Sequence, residues 1–377
     1  MNEPFLYYLR EGRNEVENEE FSVQKKYVNK LLIKSLQNNN LNILIGSGCS
    51  LPAVNLMGDT FNALKTQEGN ALFTAIEYGG ENKDIEGYLN WLNMGINFYE
   101  KLELNDTNLG FKNGLERSFN ITKQYLIESI VDDYSGSDGK VAITKSLYHS
   151  FYNALFSFRE LKDFSPVNVY TTNYDLFNEV AMEDLDIYYT NGFTGSVIRK
   201  FDPTTFQLRL VDDENRYKEK WSILRRYIKL YKIHGSIDWV YSSEYDSVIQ
   251  TNNKDIDAKD ILIYPTIDKH IETQQTPYSE LFRALSVNLQ KPNSTLIVLG
   301  YGFPDQHINH LISQSLSNED FNLVVFGNKD ESNAAAFIER HKHKTNFHFI
   351  GGSIHGVNDG HYFSNVISYL TRSEMNQ

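Results

Sequence analysis

The chain of 377 residues contains one cysteine, Cys49. An intrachain disulfide framework is therefore impossible, and so is a four-cysteine zinc site. Long apolar runs are missing too. Stretches such as Leu296–Leu299 fall far short of the ~20 residues that a membrane-spanning helix needs. Nor does the start, MNEPFLYYLREGRNEVENEEF, follow the basic-then-apolar plan of a secretion signal. Basic charge is short, with 36 Lys and Arg against 49 Asp and Glu and a net charge of −13. That balance disfavours nonspecific attachment to nucleic acid or to an anionic membrane. Together the absences lead us to expect a cytoplasmic chain with no zinc and no membrane attachment, touching nucleic acid only weakly or indirectly.

Aromatic residues, by contrast, are plentiful: 24 Tyr and 23 Phe. Many recur at helical spacing. Ile85, Tyr88, Leu89, Leu92, Ile96 and Tyr99 form one such set, and Leu115, Phe119, Thr122, Tyr125, Leu126 and Ile130 a second. Ile143, Leu147, Phe151, Ala154, Leu155 and Phe158 form a third. These stripes read as the core of a helical module over residues 77–160. Residues 1–22 show no clear period and read as an arm suited to an interface, followed by a helix over 22–36. From Ser165-Pro166 onward, short β-rich runs alternate with helical ones. Strands are expected at Val167–Tyr170, Ile187–Tyr189, Leu230–Ile233, Ile261–Tyr264, Thr295–Leu299, Leu323–Phe326 and Phe347–Ile350. Helices are expected at Tyr278–Leu289, His307–Leu316 and Asn333–His341, and Arg199–Arg216 as a hairpin or a loop over the site. The fold class is α/β: a Rossmann-like, mostly parallel open sheet with an inserted all-helical module. The corresponding division is 1–37 for the arm and first helix, 38–76 with 161–377 for the sheet domain, and 77–160 for the insert.

Open α/β sheets bind ligands at the carboxyl ends of their strands. The first such end is LNILIGSGCS, Leu41 to Ser50, where Gly46-Ser47-Gly48 follows an apolar run. Glycines there permit positive φ and close approach of a phosphate to the helix start. Other ends supply Thr171-Thr172-Asn173-Tyr174-Asp175, His234-Gly235-Ser236, Gly300-Tyr301-Gly302 and Gly351-Gly352-Ser353. Such a set suits a polar nucleotide cleft. A hydride-transferring dinucleotide fold wants a third glycine or alanine where Leu51 stands, and an acid after a second strand that does not come. A phosphate-loop NTPase wants Gly-Lys-Ser/Thr after the turn, which is absent.

Four ordered segments carry a family resemblance: Gly46-Ser47-Gly48-Cys49-Ser50, Thr171-Thr172-Asn173-Tyr174-Asp175, His234-Gly235 within KIHGSIDW, and VLGYGFPD at Val298–Asp305. In this order they resemble the sirtuin superfamily, and most of all its zinc-less bacterial branch of sirtuin-like NADases of anti-phage defence. The resemblance spans roughly residues 38–75 and 165–355. It implies that Gly46, Ser47, Gly48 and Ser50 line the pyrophosphate of NAD+. It also implies that Asn173, with Thr172 and Asp175 beside it, faces the nicotinamide ribose, that His234 is the general base, and that Gly300 and Tyr301 border the adenosine half. The implied reaction is NAD+ glycohydrolysis to nicotinamide and ADP-ribose, in a homo-oligomer or beside a HerA-type ATPase or other defence protein. Two alternatives stand: a nuclease or nucleic-acid-binding subunit of a defence complex, and a non-catalytic sensor of NAD or ADP-ribose.

Simpler readings accompany these residues. Asn173 suits the N-cap of a helix over Tyr174–Met182, and Asp305 that of the His307–Leu316 helix. His307 and His310 lie one turn apart with no acid or cysteine to complete a metal set. Arg340-His341-Lys342-His343-Lys344 reads as a solvated helix end, and Cys49 as a small packing residue.

Overall fold

The computed structural model describes residues 3–80, 84–103, 105–131, 133–159, 165–217, 220–251, 261–263 and 276–370. Its centre is a nine-stranded sheet. The strands lie in the order Arg13–Asn14, Phe5–Arg10, Phe347–Ser353, Asn322–Phe326, Ser294–Leu299, Asn40–Ile45, Val167–Thr171, Tyr227–Lys232 and Tyr188–Thr190. All pairings from Phe347–Ser353 to Tyr188–Thr190 are parallel, and the two at the other edge are antiparallel. This is the expected open α/β sheet, and six of the seven expected strands stand in it.

Successive side chains of a strand point to opposite faces, and here both faces are covered. Leu41, Ile43, Ile45, Val169 and Leu230 enter one core, with the Phe21–Leu36 and Gly139–Ser157 helices packed on it. Leu44, Tyr170, Tyr231, Leu296 and Val298 enter the other, against the Tyr278–Leu289 and Gln306–Ser315 helices. Continuous apolar runs rather than clean alternation are the sequence signature of such strands, which is why they were legible.

The N-terminus, read as an arm suited to an interface, joins the main sheet. Phe5–Arg10 is a strand paired with Phe347–Ser353, Phe5 opposite Ser353 and Leu9 opposite Phe349. Gly351 and Gly352 make room for it: a Cβ on Gly352 would lie 2.2 Å from the Phe5 carbonyl oxygen, and the Gly352 φ is +141°. Tyr7 fastens the strand further, its hydroxyl donating to the Gly327 carbonyl at 3.1 Å and accepting from the Lys329 amide at 3.0 Å. The pairing spans more than 340 positions of sequence, so no local pattern announces it.

The segment after Ile233 also departs from expectation. Gly235–Ser242, Ser247–Gln250, Arg199–Phe201, Phe193–Thr194 and Ile261–Ile263 form a second, antiparallel sheet. The expected Ile261–Tyr264 strand belongs here, and Tyr264 lies outside the described residues. Along Gly235–Ser242 buried and half-buried residues do not alternate, so the strand carried no period-two signal. The helices expected between 77 and 160 form as Ile85–Glu100, Asp106–Glu128 and Gly139–Ser157. The first two pack on Met57–Glu68 around Phe61, Leu64, Leu89, Leu92, Leu115 and Leu126. The third leaves them for the main core, burying Tyr148, Phe151, Tyr152, Leu155 and Phe156 while Ile143 stays exposed. No helix among the described residues is long and apolar enough to cross a membrane.

Replacing Gly352 with alanine tests the N-terminal docking. Both the positive φ and the Phe5 carbonyl oppose a Cβ, so a loss of about 1–3 kcal/mol is expected in a urea titration. An unchanged unfolding midpoint would mean that the strand does not sit against Gly352.

Candidate functional site

The stretch expected to cradle a phosphate is built differently from its reading. Neither Gly46 nor Gly48 has positive φ. Both are glycine because the loop after Ser294–Leu299 presses on them: a Cβ on Gly46 would meet the Gly300 oxygen at 2.4 Å, and one on Gly48 the Gly300 Cα at 3.0 Å. Their amides are spent in the same contact, Gly46 donating to the Leu299 carbonyl at 2.8 Å and Gly48 to that of Gly300 at 2.9 Å. The chain then makes a single 3-10 turn, Ser47–Ser50, and the next α-helix starts only at Met57. The helix that follows therefore does not direct its dipole at this turn. Gly46, Gly48 and Gly300 close the crevice between the two central strands, and the cavity lies beside it.

That cavity, of about 80 Å³, is lined by Ser47, Ser50, Thr172, Asn173, Asp175, His234 and Tyr301 among the residues nominated from sequence. Asn173 leaves the Val167–Thr171 strand with its amide nitrogen donating to the Gly46 carbonyl at 3.1 Å and to Ser50 Oγ at 2.9 Å. A carbonyl only accepts, so this bond fixes which end of the amide is nitrogen. Among the described residues Asn173 Oδ1 has no hydrogen-bond partner although it is buried. Asn173 is not the cap anticipated for the next helix, which spans Phe177–Asp184 with Leu176 at its N-cap. Ser50 in turn donates to Asp175 Oδ2 at 2.7 Å and lies 3.2 Å from the Tyr148 hydroxyl. Asp175 Oδ1 accepts from the Phe177 amide at 3.2 Å. Ser50 and Asp175 thus brace Asn173.

Beneath this loop lies Lys232, wholly buried at the end of its strand. Its ammonium donates to the Asp175 carbonyl at 2.5 Å and to that of Tyr174 at 3.3 Å. Glu179 Oε1 stands 3.2 Å away, near enough for an ion pair but outside hydrogen-bonding direction. Burial pushes the Glu179 carboxyl up to about 7; the Lys232 charge opposes this and Asp238 adds to it. Burial likewise raises Asp175, against the pull of Lys232, Ser50 and the Phe177 amide.

His234 follows the same strand. Its Nε2 lies 3.0 Å from Asp305 Oδ2, while Asp305 Oδ1 accepts from the amides of His307 at 2.7 Å and Ile308 at 3.1 Å. Asp305 is therefore the N-cap read from sequence, of a helix at Gln306–Ser315, and also the acid behind the imidazole. Burial raises its carboxyl, but the hydrogen bond and charge of His234 and the two amides outweigh that and hold it below the ordinary range. An ionised carboxylate only accepts, so Nε2 carries the proton and the neutral ring keeps its lone pair on Nδ1.

Sequence reasoning missed three participants: Lys232, the Asp305–His234 pairing, and Glu86. Glu86 reaches the cavity from the first turn of the Ile85–Glu100 helix, where the Tyr174 hydroxyl donates to its Oε1. An acid in a helix's first turn needs no further reason in sequence, so nothing local marked it. Outside the cavity, His341 is buried rather than solvated. Its Nε2 lies 2.9 Å from Ser313 Oγ, and burial pushes it down to about 4. His310 and His307 are engaged with Gln314 and the Phe282 ring. Cys49 is buried and its thiol pushed up by burial and by Asp175, as suits a packing residue.

Residues 167–350 match a family model described as SIR2-like domain. The match covers the strands that carry Asn173, His234 and the Gly300 loop and supports a place in the sirtuin-like superfamily. A comparison with curated proteins finds no match.

Two stability measurements test the floor of the site. Lys232→Met leaves Glu179 and two carbonyls without their cation and is expected to cost about 3–5 kcal/mol in denaturant titration. Glu179 takes up a proton on folding, because its folded pKa of about 7 exceeds the ordinary 4.5. Its contribution to stability is whole below the lower value and disappears as pH rises through the higher one. Glu179→Gln should therefore flatten the fall in unfolding free energy across that window; an unchanged slope would mean that Glu179 ionises normally.

Proposed function

We propose that the chain hydrolyses NAD+ at the nicotinamide–ribose bond, releasing nicotinamide and ADP-ribose. The observation that carries this reading is the buried Asn173 Oδ1, without a partner among the described residues, in one cavity with His234, which Asp305 backs. An acceptor held in place by two bonds on its own nitrogen is suited to orient a water or a ribose hydroxyl. A histidine backed by a carboxylate is suited to take the proton that the water gives up.

The bond to be broken joins the sugar to a cationic ring. The ring departs with the bonding electron pair and becomes neutral, so the leaving group needs no general acid, unlike that of most glycosides. Water adds its oxygen to the sugar carbon, and its proton passes to His234. The residues must therefore orient, accept one proton and favour positive charge. The cavity of about 80 Å³ is smaller than the ~300–1,000 Å³ of ordinary ligand sites. Admission of a dinucleotide requires part of the cavity wall to yield.

On this reading the enzyme belongs to anti-phage defence by NAD+ depletion in the cytoplasm, works without zinc, and is held off until self-assembly or a HerA-type ATPase or other defence partner releases it. Unrestrained NAD+ loss would harm the host cell, which is the reason for expecting such control.

Nicotinamide release from NAD+ by the purified chain, alone and with the product of a neighbouring gene, tests the reading. Absence of release in every condition would sink it. His234→Ala should lower turnover by about 10²–10⁴-fold, and Asn173→Ala by about 10²-fold or more through lost positioning. Asp305→Asn keeps an equally good N-cap. It should leave the unfolding midpoint in place while turnover drops on the order of 10²-fold, since the imidazole loses its charged partner.

A further inference from the structure

We propose that Glu86 is the residue with which the site recognises positive charge on its substrate, selecting a pyridinium dinucleotide over its neutral, reduced form. The proposal rests on the reading of the substrate as NAD+ and adds to it a residue from outside the segment that resembles SIR2-like domains.

Among the described residues lining the cavity there is no lysine or arginine. Two carboxyl groups line it, Glu86 and Asp175. Asp175 has its oxygens engaged by Ser50 and the Phe177 amide and feels the nearby charge of Lys232. Glu86 is differently placed. Burial raises its carboxyl, and Asp84 and Asp305 push it further up; among the described residues His234 alone acts in the other direction through charge. The neutral hydroxyl of Tyr174 donates to one of its oxygens. A half-buried carboxyl with acids around it and no lysine or arginine beside it among the described residues gains most from a positive charge brought by a ligand. NAD+ brings one on its ring and, as the bond to the sugar breaks, passes it to the sugar.

The arrangement also separates charge from architecture. The Tyr174–Glu86 bond ties the Ile85–Glu100 helix to the loop that carries Asn173. Glu86→Gln keeps an oxygen that accepts this bond and removes only the charge. Tyr174→Phe removes the bond and keeps the charge.

The test is equilibrium binding to the full chain of two probes, a carbocyclic NAD+ analogue, which keeps the pyridinium but lacks the cleavable sugar bond, and NADH. Wild type is expected to bind the cationic analogue at least about tenfold more tightly than NADH. Glu86→Gln should bring that ratio close to one with NADH affinity little changed, and Tyr174→Phe should preserve the ratio. An unchanged ratio in Glu86→Gln, or equal affinities in wild type, would overturn the proposal and leave the hydrolase reading intact. Wild type that discriminates as expected yet never releases nicotinamide from NAD+ would support the role of Glu86 and sink the hydrolase reading. Failure of both probes to bind would overturn both.

Discussion

A lysine ammonium with no access to solvent sets the position of the loop on which the site is built. Lys232 holds the carbonyls of Tyr174 and Asp175 from below and stands at ion-pair distance from Glu179. Burying such a charge is costly unless its hydrogens are used, and here they are used on the backbone of the functional loop. The residues above inherit that constraint. Asn173 spends its amide hydrogens on Gly46 and Ser50, Ser50 spends its own on Asp175, and Tyr174 reaches Glu86. Asn173 Oδ1, an acceptor without a partner among the described residues, is held in place by the two bonds on its own nitrogen.

A second constraint is the close approach of two strand ends. Gly46 and Gly48 lie against Gly300 so closely that neither admits a Cβ without movement of the Gly300 backbone. The central crevice, where open sheets usually receive a ligand, is thereby narrowed, and the cavity forms beside it, lined from the strand ends that carry Ser50, Asn173, His234 and Tyr301. Gly300 pairs with this contact through its own φ of +61°. Glycine in the opening motif serves the packing of two backbones rather than an unusual conformation of its own.

The helical segments do more than enlarge the chain. Met57, Glu86 and Ile130 come from that layer and complete the cavity wall. Their own core, around Phe61, Leu89 and Leu115, is distinct from the cores on the two faces of the sheet. A carboxyl such as Glu86, on an element with its own core, meets the sheet residues mainly through the cavity and the Tyr174 hydroxyl. Glu86 and the apolar Met57 and Ile130 thus share one wall of the cavity.

Much of this was legible in the order of residues. Apolar runs of four to six, such as Leu41–Ile45 and Leu296–Leu299, announce strands covered on both faces, because such strands bury every side chain. Small polar groups after those runs announce the cavity, because a strand's carboxyl end places the next few residues at the ligand edge of the sheet. Asn173 and His234 were found by that rule, and Asp305 by its capping position. Tertiary structure alone decided the rest, since contacts between distant positions leave no local period. Phe5–Arg10 became a strand only through Phe347–Ser353. Lys232 became an anchor and Asp305 the partner of an imidazole only once their neighbours were in place. Glu86 entered the site from a helix some ninety positions away from Asn173. Sequence determined which groups stand at the strand ends; packing decided which of them face one another, because hydrogen bonds and buried charge act across space rather than along the chain.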